Sequence, residues 1–258
     1  MNAALGALTG RTALVTGAGR GIGQATAVAL ARAGVTDIAL IARTASQLET
    51  TARLVEEGGA HAHVFIVDLI DVAQLEGAAA EVSRSVGRVD VLINNAGMVA
   101  PLGPTVTQSA AAMLDAFRLN TLAPTLLAGA MLPSMVDTGW GRIVNVSSGI
   151  VAHPAGMIGG STYAATKAAL EAQTLSMAAE YANTGVRINI YRPGGVDTAM
   201  QEWIRTQDPN EIGHALHERF VDSHATGTLL TPDASAAALV AHLSREETGQ
   251  VWDVTDSN

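Results

Sequence analysis

The sequence has 258 residues, with 15 basic and 24 acidic side chains and a formal net charge of −9. This acidic balance argues against a protein that binds nucleic acid through electrostatic attraction. Hydrophobic residues make up 48% of the chain and charged residues 15%, which excludes a disordered chain. There is no cysteine, so disulfides, a thiol nucleophile and cysteine-ligated metals are excluded. All the basic residues are arginine except Lys167.

The first ten residues, MNAALGALTG, contain neither a basic region nor a sustained apolar stretch. They do not resemble a secretory signal. The sequence contains no run of about 18 apolar residues, which is the length that a membrane span needs. We therefore expect a cytoplasmic protein that contacts no membrane.

Short aliphatic runs alternate with longer, alanine-rich segments. The predicted strands are 12–16, 37–42, 63–67, 89–94, 142–146, 187–191 and 250–254. Most are continuous apolar runs, as expected for strands that are buried on both faces of a parallel sheet. The predicted helices are 21–33, 45–57, 72–86, 109–136, 162–183 and 232–244.

This alternation predicts a Rossmann-like, doubly wound α/β fold, with about seven parallel strands and helices on both faces of the sheet. No linker or internal repeat divides residues 1–258, so we expect a single domain. Residues 198–227 break the alternation because they are polar and rich in histidine and charge. We expect this segment to be a substrate lid at the carboxyl edge of the sheet.

A glycine-rich turn joins the first predicted strand to the first predicted helix. Glycines let the backbone approach a pyrophosphate, whose charge then lies at the helix N-terminus. The turn contains Gly17, Gly19, Arg20, Gly21, Ile22 and Gly23. Because a strand and a helix flank it, the turn predicts a nicotinamide dinucleotide site more specifically than a glycine pattern alone.

The end of the second predicted strand determines which dinucleotide is preferred. An NAD site places an acidic residue there to accept a hydrogen bond from the ribose 2′-hydroxyl. This chain instead has Arg43 and Thr44. Arg43 and Arg20 favour a 2′-phosphate, so we predict NADP(H), with NAD(H) as the alternative cofactor. The alternative interpretation is that Arg43 is only a solvated side chain and that Thr44 forms a capping box with Gln47.

Tyr163 and Lys167 lie four residues apart in a predicted helix and therefore share one helix face. A phenol has an ordinary pKa of about 10, and a neighbouring ammonium group stabilises the phenolate. The pair indicates a tyrosine that exchanges protons with a substrate. The same spacing is also typical of an ordinary amphipathic helix, so this interpretation depends on the motifs around it.

Five motifs follow one another along the chain. They are TGAGRGIG at 16–23, NNAG at 94–97, NVSS at 145–148, YAATK at 163–167 and RPGGVDT at 192–198. In this order, across residues 12–254, they resemble the short-chain dehydrogenase/reductase family of the shorter type. The resemblance implies an oxidoreductase that moves hydride between a nicotinamide cofactor and a carbonyl or alcohol.

The resemblance implies roles for four catalytic residues. Tyr163 would be the general acid in carbonyl reduction, and Lys167 would bind the nicotinamide ribose and lower the tyrosine pKa. Ser148 would hydrogen-bond the substrate carbonyl, although a loop about two residues longer than usual leaves Ser147 as the alternative. Asn120 would help to hold a water molecule in the proton relay.

Pro124 adds a feature that comes from the sequence itself. It lies four residues after Asn120 and has no N–H group to donate to the Asn120 carbonyl. We expect a local kink that leaves this carbonyl for the water molecule. Alternatively, the kink is merely tolerated.

The resemblance also implies further contacts with the cofactor. Asp68 and Leu69 would lie beside the adenine. The turn that begins at Asn94 would lie near the adenine ribose, and the loop 193–198 would lie beside the nicotinamide. The implied contact residues are Asp68, Leu69, Asn95, Ala96, Gly97, Tyr163, Lys167, Pro193, Gly194, Val196 and Thr198. Turn formation alone would also explain several of these residue types.

Two other groups of residues have open interpretations. The candidates for the substrate mouth are His153, Met157, Ile158, Met200, Trp203 and Ile204, although ordinary packing explains them equally well. His214 and His217 have helical spacing near Glu211 and Glu218. We interpret these as a solvated lid helix and predict no metal site.

We therefore predict an NADPH-dependent oxidoreductase that interconverts a carbonyl (a ketone or a 3-oxoacyl group) and a secondary alcohol. One alternative is a catalytically silent NADP-binding sensor or scaffold, and another is a related epimerase or dehydratase. The expected partner is a small-molecule substrate. Small apolar residues on several faces of helix 162–183 also predict a homodimer or homotetramer.

Overall fold

One parallel sheet organises residues 6–256, the part of the chain that the computed structural model describes. Its strands are β1 (Thr12–Thr16), β2 (Asp37–Ala42), β3 (His61–Ile66), β4 (Val91–Asn94), β5 (Gly141–Val146), β6 (Val186–Arg192) and β7 (Val251–Asp253). Their order is β3-β2-β1-β4-β5-β6-β7, and every neighbouring pair is parallel. The strand order reverses between β1 and β4, which opens a crevice at their carboxyl ends.

Helices connect the strands and cover both faces of the sheet. They are α1 (Gly21–Arg32), α2 (Ala45–Glu57), α3 (Val72–Val86), α4 (Ala110–Phe117), α5 (Ala123–Asp137), α6 (Ser161–Glu180), α7 (Ala199–Arg205), α8 (Pro209–Ile212), α9 (His214–Ala225) and α10 (Pro232–His242). The predicted doubly wound, single-domain α/β fold is therefore confirmed.

Alternation along each strand divides the core between the two faces of the sheet. In β1, Ala13 and Val15 belong to one apolar cluster, together with side chains of α1, α2 and α10. Leu14 belongs to a second cluster, with side chains of α3, α5 and α6. Burial on both faces explains why the strands have continuous apolar sequences.

A π turn at Arg118–Leu122 connects α4 to α5. In this turn the Ala123 amide donates to the Arg118 carbonyl, five residues back. The turn is the distortion that the sequence predicts beside Pro124, which lies in the first turn of α5. The whole run Ala110–Asp137 is long and apolar enough to cross a membrane, but 56% of its most apolar window is buried. Core helices of folded domains meet the same criterion.

The segment predicted to be a lid contains α7, α8 and α9. Ile204, Ile212 and Leu216 from these helices pack against Val99 and Met157 in a third apolar cluster. Val99 follows β4 and Met157 follows β5. The segment therefore covers the carboxyl edge of the sheet.

Candidate active site

The glycine-rich turn after β1 packs against the segment that follows β4. Thr16 Oγ1 accepts hydrogen bonds from the amides of Asn95 and Ala96, both at 3.0 Å. Asn95 Nδ2 donates to the Thr16 carbonyl at 3.0 Å. Gly17 has a φ of +64°, and a Cβ atom at this position would lie 2.9 Å from the Ala96 Cα. These contacts hold the carboxyl ends of β1 and β4 together.

Helix α1 leaves its N-terminus open to an anion. It begins at Gly21 without a side-chain cap and has no acidic residue in its first turn. Its first amide groups are therefore free to bind a phosphate. Gly23 lies behind the turn, where a Cβ atom would overlap the Gly17 carbonyl oxygen. Glycine at this position permits close packing of α1 on β1.

A cleft of about 680 Å³ extends from the glycine-rich turn to Tyr163. The predicted cofactor residues that line it are Gly17, Gly19, Arg20, Gly21, Ile22, Arg43, Asp68, Leu69, Asn95, Ala96, Gly97, Tyr163, Lys167, Pro193, Gly194, Val196 and Thr198. Gly23, Asn94 and Asn120 are not part of its lining. The structure therefore brings together nearly all of the predicted residues.

Asn94 supports the cleft from below. Its Nδ2 donates to Asn145 Oδ1 at 2.8 Å and to the Pro124 carbonyl at 3.3 Å. These bonds join β4 to β5 and to α5. The sequence interpretation placed Asn94 near the adenine ribose, whereas its side chain lies inside the protein.

Asn120 is fully buried in the π turn. Its Oδ1 accepts from the Met98 amide at 2.8 Å, and its Nδ2 donates to the Met98 carbonyl at 2.8 Å and to Thr166 Oγ1 at 3.0 Å. The side chain therefore positions the extension of β4 against α6. The predicted proton relay would therefore use the backbone carbonyl of Asn120 rather than its side chain.

Ser148, Tyr163 and Lys167 meet where β5 ends and α6 begins. Lys167 Nζ donates to the Val146 carbonyl at 2.8 Å, and Ser148 Oγ accepts from the Ile150 amide at 3.4 Å. The Ser148 side chain neighbours Tyr163 and lowers the pKa of its phenol. Ser147 also lines the cleft, but its Oγ has no hydrogen-bond partner within residues 6–256. Of the two serines, Ser148 is therefore the one that pairs with the tyrosine.

Burial affects the protonation of both residues of the pair. It raises the pKa of Tyr163 above its ordinary value, and the neighbouring Ser148 side chain opposes this change. Burial lowers the pKa of Lys167 to about 8, while the negative charge of Glu171 opposes that change. We expected Lys167 to lower the pKa of Tyr163. In the structure Ser148 is the side chain that lowers it, and the Lys167 ammonium group donates to the Val146 carbonyl.

An ion pair one turn beyond Lys167 was not predicted from the sequence. Arg192 donates to both carboxylate oxygens of Glu171, at 2.9 and 2.8 Å. Both side chains are largely buried. Because Arg192 directly precedes Pro193, the pair connects α6 to the loop that follows β6. The two residues are distant in sequence, and no motif indicates that they meet.

Arg43 lies at the opposite end of the cleft from Tyr163. Its side chain is 65% exposed, and its Nη1 is 3.9 Å from Asp68 Oδ2. Thr44 precedes α2, but its side chain caps no amide of that helix. The capping-box interpretation of Thr44 and Gln47 is therefore wrong.

The other half of the cleft is lined by apolar side chains together with the polar side chains of Gln201, Arg219 and Ser223. Its apolar side chains are Val99, Ile150, Met157, Met200, Ile204, Phe220 and Leu229. Three candidates from the sequence lie outside the lining, namely His153, Ile158 and Trp203, and Ile158 is 72% exposed. Arg219 and Ser223 of α9 line the cleft and were not predicted. The polar sequence of α9 had indicated only a solvated helix.

The histidines of the lid have structural contacts. His217 Nε2 lies 3.0 Å from the Arg205 carbonyl, which joins α9 to α7. Within residues 6–256, no group of three or more His, Asp and Glu side chains is arranged to hold a metal ion.

Known proteins resemble this chain in sequence and in structure. The family model described as short chain dehydrogenase matches residues 11–209. Ketoacyl reductase HetN of Nostoc sp. is 38% identical over 207 residues, which cover 80% of this chain and 71% of that protein. Oxidoreductase UcpA of Salmonella typhimurium is 37% identical over 221 residues, which cover 83% of this chain and 80% of that protein.

A solved structure extends the similarity over nearly the whole chain. L-sorbose reductase from Gluconobacter frateurii, complexed with NADPH and L-sorbose, has a TM-score of 0.84 and 25% sequence identity, and the match covers 95% of each chain. Together with the family match, the strand order and the geometry of the cleft give one assignment. The chain belongs to the short-chain dehydrogenase family of oxidoreductases, which act on alcohol and carbonyl groups.

Proposed function

We propose that this protein is an NADPH-dependent carbonyl reductase that also oxidises the corresponding secondary alcohol. The observation that carries the proposal is that Ser148, Tyr163 and Lys167 line one end of a cleft whose other end holds the glycine-rich turn. The reacting carbonyl, of a ketone or a 3-oxoacyl group, would lie beside Ser148 and Tyr163. The rest of the substrate would occupy the apolar half of the cleft.

The residues of the cleft fit a nicotinamide dinucleotide. The uncapped N-terminus of α1 suits a pyrophosphate, and a Cβ atom at Gly17 would fill space beside the floor of the cleft. Lys167 and the loop from Pro193 to Thr198 would hold the nicotinamide end. When bound, the cofactor supplies the hydride in reduction and accepts it in oxidation.

Tyr163 donates its phenolic proton to the substrate oxygen in reduction and takes it back in oxidation. Because burial raises its pKa, the phenol is protonated at neutral pH, which suits the donor role. The Ser148 hydroxyl holds the substrate oxygen towards Tyr163. The buried Lys167 ammonium stabilises the phenolate that remains, because electrostatic interactions are stronger away from water.

Asn120 contributes to the return of the proton. Pro124 has no N–H group to donate to the Asn120 carbonyl. We infer that this carbonyl holds a water molecule that passes a proton towards Lys167 and Tyr163.

Two arginines support the choice of NADPH. Arg20 and Arg43 both line the adenosine end of the cleft, and β2 ends without an acidic residue that would accept from a ribose 2′-hydroxyl. Arg43 is largely exposed, and its 3.9 Å pair with Asp68 is weak. Its guanidinium is therefore free to turn to a 2′-phosphate.

The proposal is tested with a panel of simple ketones, sugars, steroids and 3-oxoacyl thioesters, in which nicotinamide absorbance reports the oxidation of NADPH. A carbonyl reductase consumes NADPH with at least one of these classes. NADPH binding without consumption across the panel would contradict the proposal and favour the silent sensor.

A further inference from the structure

Arg219 is exposed to solvent and places one positive charge in the lining of the substrate half of the cleft. It lies on α9 and lines the cleft with the apolar side chains of Met157, Ile204 and Phe220. The other cation at this end, Lys167, is bound to the Val146 carbonyl. Among the described residues that line the cleft, Asp68 is the one acid, and it lies at the adenosine end beside Arg43. No carboxylate in the lining therefore neutralises Arg219.

The position of Arg219 is set by the loop between β5 and α6. Its Nη1 donates to the carbonyl of Gly156, which lies between Ser148 and Tyr163 in the sequence. The guanidinium has five N–H donors in one plane, so this single bond leaves most of them for a ligand. An anion bound by Arg219 would also connect the lid to the loop that carries the serine.

The surroundings of Arg219 restrict the chemistry of the substrate. The apolar side chains of this wall offer no hydrogen-bond partner to the hydroxyl groups of a sugar, which would depend on Gln201, Ser223 and Arg219. An apolar chain fits this wall, and a carboxylate or phosphate fits a guanidinium through paired hydrogen bonds. From this arrangement we propose that the substrate is a ketone or secondary alcohol with an apolar segment ending in an anionic group, which Arg219 binds. The inference rests on the proposed carbonyl reductase function.

The test compares three compounds that share one reacting ketone: 5-oxohexanoate, its uncharged methyl ester, and 5-oxohexyl phosphate. With NADPH present, kcat/KM is measured for the unaltered enzyme, Arg219→Gln and Arg219→Lys. Glu218→Gln is the control, because it changes a neighbouring exposed charge on α9 outside the cleft lining. The carboxylate and phosphate arms show which anion the site prefers.

We expect Arg219→Gln to lower kcat/KM for the anionic ketones about 5-fold, the upper value for an ion pair at an exposed arginine. The methyl ester should be unaffected, and Arg219→Lys should recover part of the loss because it keeps the charge. If Arg219 acts only by holding the loop through Gly156, Arg219→Gln will lower the acid and ester values by the same factor. That result would overturn the inference, as would equal kcat/KM for acid and ester in the unaltered enzyme.

A binding measurement separates this inference from the proposed function. Protection of the NADPH-loaded protein against thermal unfolding is measured with 5-oxohexanoate and with its ester. Protection by the acid alone, lost in Arg219→Gln, supports the anion site even if no ketone is reduced. Equal protection by acid and ester, or by neither, overturns it.

Discussion

Lys167 shows how the function of one residue depends on its surroundings. It is the only lysine of the chain, and it is buried between the Val146 carbonyl and the charge of Glu171. A compact ammonium group can bridge a ribose and a phenolate, whereas the planar fork of an arginine requires more space. The composition draws attention to this lysine because it is the only one, but only the structure shows that burial lowers its pKa.

Loss of the Lys167 proton should limit the enzyme on the alkaline side. Burial disfavours the charged form, so the folded-state pKa of about 8 lies below the ordinary value and the ammonium charge is lost above that pH. We expect kcat/KM for NADPH, at saturating carbonyl, to fall above about pH 8. Glu171→Gln removes a charge that favours the ammonium, so it should move this decline to lower pH. An unchanged pH profile in that variant would refute the electrostatic role of Glu171.

Arg43 should determine the preference between the two cofactors. We expect NADPH to protect the protein from thermal unfolding more than NADH does at the same concentration. Arg43→Ala should weaken NADPH binding by about 1.5–3 kcal/mol, the value of a hydrogen bond to a charged group, and should leave NADH binding unchanged. Arg53→Ala, on the exposed surface of α2, is the matched control. Equal losses for both cofactors would argue against a 2′-phosphate contact.

At the scale of elements, the sequence predicts most of the regular structure. The predicted bounds of β1, β2, α2 and α3 agree with the observed ones, because apolar runs and helical periodicity mark these segments clearly. Strand β3 begins two residues earlier than predicted, since His61 pairs with Asp37 of β2 at an exposed edge. An edge strand lacks the apolar pattern of the central strands.

The remaining elements depend on contacts that are distant in sequence. Of the three lid helices, only α9 was expected to be a helix, and the rest of the segment was predicted as a polar insertion. Apolar contacts with the loops after β4 and β5 stabilise these helices. The motif residues of the site were predicted, but the pair of Glu171 and Arg192 and the position of Arg219 were not. A local pattern cannot indicate which distant side chains will meet.

The packing of α1 on β1 can be tested at two glycines. A Cβ atom at Gly23 would overlap the Gly17 carbonyl oxygen and approach Asn95 Nδ2 to 2.5 Å, so Gly23→Ala should destabilise the fold by about 1–3 kcal/mol. It should also weaken NADPH binding, because the glycine-rich turn must shift. Gly77→Ala in the exposed face of α3 has open space and should stabilise the protein by about 0.5–1 kcal/mol. Urea unfolding measures the free energy of unfolding of both variants. Equal values for Gly23→Ala and Gly77→Ala would contradict the packing argument.

At the scale of the whole molecule, α4, the π turn and α6 present exposed apolar side chains. They are Leu114, Phe117, Leu122 and Leu175. Along α6, small apolar residues also occupy the exposed positions 165, 168, 172 and 179. This exposed face is the one that the sequence predicts to contact a second copy.

We expect the protein to be a dimer or tetramer in solution, and Leu175→Glu to shift it to smaller species by placing a charge in the contact. Light scattering coupled to size exclusion measures the mass. Ile66→Glu is the control, because Ile66 is 60% exposed on the edge strand β3, away from α4 and α6. A parent protein that is already a monomer would rule out this contact.

The central claim is that Tyr163 transfers the proton that accompanies hydride transfer. The most direct measurement is single-turnover oxidation of bound NADPH by a carbonyl substrate in Tyr163→Phe, together with the Kd for NADPH. Phenylalanine keeps the ring but lacks the hydroxyl, so we predict hydride transfer slower by about 10²–10⁴-fold, the usual contribution of a general acid, with an unchanged Kd. Hydride transfer at the rate of the unaltered enzyme would contradict the account.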